Sequence, residues 1–280
     1  MSHFIALMLF SGLSAAIGFG GDLRLILSRK EETFPGSGEF KTSEKVVDWK
    51  ARQTAFLICD MWDRHWCASA SQRVDALASV MNRVLRKGRE RGVFIIHAPS
   101  DTMPFYDRSP QRERARSAPT LLSEPEDISQ WRPLDPTREL PLPIDDSDGG
   151  CDDVPPCPTY RAWTCQHPAL RIDSEDAISD NGAEISRLLA QHQIENIVVM
   201  GVHTNMCVLG RSFGIRSLVT QGKNVALMRD MTDSLYNPRK PPYVSHLQGT
   251  ALIIDHIESY WCPSITSDQI VGGEPFRFPS

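Results

Sequence analysis

Residues 196–230 read NIVVMGVHTNMCVLGRSFGIRSLVTQGKNVALMRD, and the order of patterns in this stretch decides the fold. Asn196 to Met200 is a short apolar run, the mark of a strand buried on both faces. Gly201 to Thr204 reads as a turn. Cys207 to Gln221 reads as a helix closed by Gly222. Asn224 to Met228 is a second buried strand, ending at Arg229-Asp230. Strand, helix and strand in this order make a right-handed βαβ unit with parallel strands.

The same grammar extends in both directions. Thr54 to Cys59 (TAFLIC) is an apolar run that stops at Asp60. Ser71 to Arg91 carries apolar residues at Val74, Leu77, Ala78, Met81, Val84 and Leu85, a helical spacing, and Gly92 follows. Val93 to His97 (VFIIH) is the next strand, Ala169 to Ile172 a short one, and Glu184 to His192 a helix. Tyr243 to Tyr260 reads as the last long helix, and Ser264 to Ser267 as a final strand. The fold class is therefore α/β with a parallel sheet. In such sheets the site lies at the carboxyl ends of the strands, where Asp60, His97, Arg171, Gly201 to Cys207 and Asp230 all fall.

Segments outside this pattern set the boundaries. Phe4 to Gly21 is uncharged and apolar, and residues 1–21 read as a signal peptide, although no positive residue but His3 precedes the run. A membrane anchor or a folded N-terminal segment are the alternatives. Export to the periplasm or beyond is expected, with the cytoplasm as the alternative. Residues 22–50 are polar around Pro35-Gly36-Ser37-Gly38 and read as an irregular N-terminal arm. Residues 51–270 read as the main α/β domain, with a long insertion at 99–165 over one edge of the sheet, and 271–280 as a tail. The chain has 280 residues and a net charge of −5 with both signs interspersed. No basic block suits nucleic acid. Of the seven cysteines, Cys151 and Cys157 are close enough to close a small disulfide loop, free thiols being the other reading.

Cys207 is the leading candidate for chemistry. It follows a buried strand and opens a helix, where free N–H groups and the dipole favour a thiolate. Asp60, on another strand end, is placed to accept the thiol proton. A buried core cysteine and a loop-bracing aspartate are the plainer readings. Trp62, His65, His97, Tyr106 and His203 are candidate substrate contacts, Trp66 a further wall residue, and packing the alternative for each. Asp63 and His65 do not make a metal-ligand spacing, so no metal and no organic cofactor are expected. No GxSxG, HExxH or phosphate loop occurs.

The segment GVHTNMCVLGRSFGIRSLVTQGKNVALMRDMTD, with TAFLICDMWD, resembles the isochorismatase-like cysteine hydrolases, a group with nicotinamidases, isochorismatases and carbamoyl-amide hydrolases. Asp60, Gly201, Thr204, Cys207, Val208, Gly222 and Asp230 match, over roughly residues 50–260. The resemblance implies a three-layer α/β/α sandwich with a mostly parallel, Rossmann-like sheet, and a homo-oligomer. It implies a cis peptide between Val202 and His203, turning N–H groups there and at Cys207 toward an oxyanion. It also implies hydrolysis of a small-molecule C–N bond through a thioester at Cys207. The family's lysine is missing, since none lies between Lys87 and Lys223. Arg171 is the expected substitute, able to hold charge but not to shuttle a proton. A family member that only binds a small molecule is the alternative, and a thiol redox protein built on Cys207 a third reading.

Overall fold

TAFLIC folds as expected. In the computed structural model, which describes residues 21–124 and 127–279, Thr54–Cys59 is a strand with every residue buried. The apolar N-terminal run lies outside the described residues, apart from Gly21. In chain order the strands are β1 (Leu23–Glu32), β2 (Phe40–Trp49), β3 (Thr54–Cys59), β4 (Phe94–Ala98), β5 (Ala177–Ile178), β6 (Asn196–Val202), β7 (Asn224–Asp233) and β8 (Ser264–Ile265). They form one sheet in the order β2-β1-β8-β7-β6-β3-β4-β5. The pairs from β8 to β5 are parallel, and β1 is antiparallel to both its neighbours.

Both faces of the sheet are covered. The helices are α1 (Ala68–Arg91), α2 (Met103–Tyr106), α3 (Pro110–Arg116), α4 (Gly182–Gln191), α5 (Cys207–Gly210), α6 (Ile215–Thr220), α7 (His246–Tyr260) and α8 (Asp268–Val271). Phe56 and Ile58 of β3 pack with Leu77, Met81 and Leu85 of α1 in one core. Ala55, Leu57 and Cys59 point the other way, into a core with Leu189, Leu218, Ile253 and Ile257. That alternation is the side-chain period of a strand, and it makes the three-layer α/β/α sandwich. Among the described residues no helix is long and apolar enough to cross a membrane.

Four local expectations are corrected. Residues 22–50 are not an irregular arm. They form a ten-residue-a-side hairpin, from Leu23 opposite Trp49 to Glu32 opposite Phe40. Leu23 and Leu25 alternate with exposed residues and enter the core. β2 is the outer strand, and its charged residues suit an exposed edge. The fifth strand is Ala177–Ile178, not 169–172, which turns beside α1 with Arg171 N–H on the Asn82 side chain at 3.0 Å. The helix expected from Cys207 to Gln221 breaks after Gly210, and Arg211 is extended there, with ψ at 154°. The disulfide joins Cys67 to Cys151, while Cys157 is free.

The insertion does more than cover an edge. α3 packs near β5 at one side, and the following chain crosses the carboxyl ends of the strands. Asp146 takes a hydrogen bond from Asn205 at 2.8 Å, and Asp148 one from Asn237 at 2.7 Å. Its main anchor is Glu139, buried with Arg216 of α6 at 2.7 and 3.0 Å and His256 of α7 at 2.8 Å. The 271–280 tail packs Phe276 and Phe278 on the α1-side core.

Burial opposes ionisation of Glu139, but the His256 and Arg216 hydrogen bonds outweigh it and hold the carboxyl down to about 2, from an ordinary 4.5. A depressed carboxyl stabilises the fold fully above its unfolded value and stops doing so as pH falls through its folded value. Glu139→Gln should therefore cost about 3–5 kcal/mol at neutral pH, because Arg216 is left buried and unpaired. Urea midpoints of wild type and variant should converge as pH drops from about 4.5 toward about 2.

Candidate active site

The site begins where β3 and β6 run closest. Gly201 has φ of 113°, and a Cβ there would sit 1.9 Å from the Cys59 carbonyl oxygen. Only glycine allows that approach. One residue past Cys59, Asp60 takes φ of 47°, an unusual conformation for a residue with a side chain. Its N–H donates to the Ala98 carbonyl of β4 at 3.1 Å, so the strand end is pinned. The carboxylate is fully buried. Its Oδ1 accepts the Ser100 N–H at 2.7 Å and its Oδ2 accepts Arg211 Nε–H at 3.0 Å.

Cys207 opens α5 after the turn from β6. The His203 carbonyl closes that turn, accepting from Met206 at 3.0 Å and Val208 at 3.2 Å. Cys207 is nine-tenths buried, and the charges of Asp60 and Arg211 both act on its thiol. The sequence therefore identified two of the three members of this cluster and misplaced the third. Arg171 lies away from it, with a side chain 77% exposed and paired with Asp173. Its segment is not a strand, so nothing aims it at the sheet's carboxyl ends. Arg211 holds the position instead. The missed signal was the spacing: Cys207 and Arg211 stand four apart in CVLGR, a distance that puts two side chains on one helical face.

The electrostatics also correct an expectation. Burial pushes the Cys207 thiol far above the ordinary range, and the Asp60 negative charge adds to it; Arg211 only partly opposes this. The entrance of α5 does not win, because a helix of four residues has little dipole. Burial likewise raises Asp60, against the opposing pull of Arg211 and the Ser100 contact. Burial thus favours the protonated thiol, while Arg211 and the Ser100 contact favour the Asp60 carboxylate.

The Val202–His203 peptide is cis. Among the described residues neither the His203 nor the Cys207 N–H has a hydrogen-bond acceptor. His203, His65, Trp163 and Trp62 form an aromatic wall, with His203 edge-on to His65 at 4.9 Å and Trp163 stacked on Trp62 at 4.3 Å. Burial keeps both histidines neutral, moving His65 down to about 4 and His203 well below its usual value. His203 Nε2 and Trp163 Nε1 are buried without partners. Trp163 was not singled out in the sequence, because it lies in the patternless insertion. Trp131, also from the insertion, rests against Gly210, where a Cβ would come within 2.3 Å of the indole.

Other candidates hold the frame. His97 is fully buried with both ring nitrogens engaged: its Nδ1 faces Gln166 at 2.8 Å and its Nε2 faces Asp176 at 3.1 Å. Tyr106 accepts the Gln166 N–H at 2.7 Å. Both thus fix the segment that bridges Trp62. Trp66 packs in a small satellite core beside Cys67 and Cys151. Asp63 braces Thr164 at 2.7 and 2.8 Å. Asp230 is away from the cluster, holding Ser267 and the Phe276 N–H. The buried acid beside this strand end is Asp233, paired with Arg73 at 2.7 Å and His246 at 2.9 Å.

No family model and no curated protein matches the chain. Among solved structures it is similar to a cysteine hydrolase from Pseudomonas syringae pv. phaseolicola 1448A, at 15% identity over 79% of this chain and 92% of that one, TM-score 0.48. It is similar to an isochorismatase from Pseudomonas putida KT2440, at 12% identity over 79% and 91%, TM-score 0.48. It is also similar to N-carbamoylsarcosine amidase from Thermoplasma acidophilum, at 9% identity over 64% and 83%, TM-score 0.38. At these levels the chemistry rests on this chain's own residues.

Arg211→Gln should destabilise the fold by about 3–5 kcal/mol, since it strands a buried carboxylate. Asp60→Asn in the same chain should recover most of that loss. Arg171→Ala should change stability by less than about 0.5 kcal/mol. Denaturant unfolding of the four proteins checks all three outcomes.

Proposed function

We propose that this protein is a cysteine hydrolase of the isochorismatase-like kind, cleaving an amide-type C–N bond of a small molecule. The observation that carries the reading is the buried Asp60–Arg211–Cys207 cluster at the carboxyl ends of β3 and β6. A cluster of one cation and one anion is neutral overall. Moving the thiol proton to Asp60 keeps it neutral, so the transfer avoids placing a second anion in a dry site.

In this reading Cys207 Sγ attacks the carbonyl carbon as Asp60 takes its proton. The oxyanion is received by the unpartnered His203 and Cys207 N–H groups. Asp60 returns the proton to the departing nitrogen, leaving a thioester. Water then attacks the thioester carbon as Asp60 takes its proton; the C–S bond breaks, Asp60 returns the proton to Cys207 Sγ, and the carboxylic acid leaves. Arg211 stays charged throughout. It orients Asp60 and balances the cluster, and it does not carry a proton. The flat wall of Trp163, His65 and His203 suits a planar substrate, and the orphaned His203 Nε2 and Trp163 Nε1 offer it polar contacts. Export, homo-oligomerisation and the absence of a resident cofactor belong to the same proposal and rest on the sequence.

A panel of planar primary amides, ureido compounds and esters, scored by ammonia or acid release, tests the reading. Cys207→Ala should lose at least about 10³-fold in kcat/KM on any substrate found. Asp60→Asn should lose a similar factor. In wild type, kcat/KM should fall as pH drops through the Asp60 pKa, which lies above the ordinary 3.8. Turnover by Cys207→Ala equal to wild type would sink the proposal. Ligand binding without turnover would instead mark a binding protein.

A further inference from the structure

Three sulfurs and one carboxylate converge at the start of α1, on residues the hydrolytic cluster does not use. Asp153 Oδ2 lies 3.0 Å from Cys157 Sγ and 3.3 Å from the Sγ atoms of both Cys67 and Cys151. The ligand atoms of Cys67, Cys151 and Asp153 all fall within 4.8 Å of one another. We propose that Cys67, Cys151, Cys157 and Asp153 form, in the reduced protein, a tetrahedral site for a thiophilic divalent cation of the zinc class.

The sulfur-to-carboxylate distances fit this use; on reduction Cys67 and Cys151 must part, and Cys157, which touches the carboxylate but lies outside the mutual 4.8 Å group, must close on them. Zinc bonds of about 2.3 Å to sulfur and 2.0–2.2 Å to oxygen give S···O edges of about 3.5 Å. The carboxylate is already aimed by an outer layer of donors. Ala68 N–H reaches it at 2.8 Å, Ser69 N–H at 3.3 Å, and the Ser69 hydroxyl also donates. Such an outer layer is what orients ligands in metal sites. These N–H groups open a helix of 24 residues, long enough to favour negative charge at its start. Arg239 reaches the Asp152 and Asp153 carbonyls at 3.2 Å, adding a cation nearby.

In this structure Cys67 and Cys151 are joined, and Cys157 is free. Joined sulfurs carry no proton, so the carboxylate gains no hydrogen bond from them. Disulfide and cation are thus alternative ways to fasten the insertion to α1. A dithiol reductant takes up the disulfide: its two thiols become a disulfide, and Cys67 and Cys151 become thiols. The cation then displaces three thiol protons as it binds three thiolates. An oxidising compartment favours the first state and a reducing one the second.

The test uses the full chain, reduced anaerobically with a dithiol and then freed of it. Cobalt(II) should give the sulfur-to-cobalt charge-transfer and intense visible bands of a tetrahedral thiolate site, at one equivalent per chain. One equivalent of zinc should bleach them, and the unreduced protein should show neither. Cys157→Ser and Asp153→Asn should each weaken cobalt binding at least about ten-fold. Cys207→Ser should match wild type. The proposal is overturned if fully reduced, folded protein gives no such bands. It is also overturned if the two variants bind like wild type, or if reduced protein unfolds and cobalt does not refold it.

Discussion

A buried region of low polarity can hold one ion pair, and it resists one charge more. That constraint organises the carboxyl ends of β3 and β6. Asp60 is fully buried, so its charge depends on Arg211. With that pair in place, the Cys207 thiol cannot ionise alone, because a second anion would have no partner. It can ionise only by handing its proton to Asp60. In the proposed reaction, nucleophile and base are therefore coupled by the dryness of the site more than by any special acidity of the sulfur.

The fold is what makes the site dry. Gly201 lets β6 approach β3 to a distance no other residue permits. Arg211 caps the end of α5, its N–H still on the Cys207 carbonyl at 3.0 Å, and its guanidinium reaches Asp60. The insertion lays Trp131 against Gly210 and stacks Trp163 on Trp62, and it is itself fastened by Glu139 between α6 and α7.

The legible parts were those whose pattern repeats. TAFLIC, NIVVM and NVALM are uninterrupted apolar runs, which parallel strands buried on both faces require. The α1 periodicity placed that helix within three residues at its start and gave its end at Gly92. The hairpin escaped because only Leu23 and Leu25 of its first strand enter the core fully, and most of its outer strand is exposed. A two-residue strand such as β5 has no period to detect. In the site, Asp60 and Cys207 were found because they end or follow strands. Arg211 reads as one more residue of a continuous helix, and only its four-residue spacing from Cys207 sets it apart. The Cys67–Cys151 link spans 84 residues, and nearness in sequence pointed to Cys157 instead.

Thiolate absorbance near 240 nm, recorded against pH as wild type minus Cys207→Ser, tests the coupled-proton account most directly. The other sulfurs cancel in the difference. The account predicts essentially no Cys207 thiolate at neutral pH, with absorbance growing only well above the ordinary thiol value of 9.0. A full thiolate signal already present at neutral pH would contradict it, and would mean that the helix entrance and Arg211 stabilise a free anion beside Asp60.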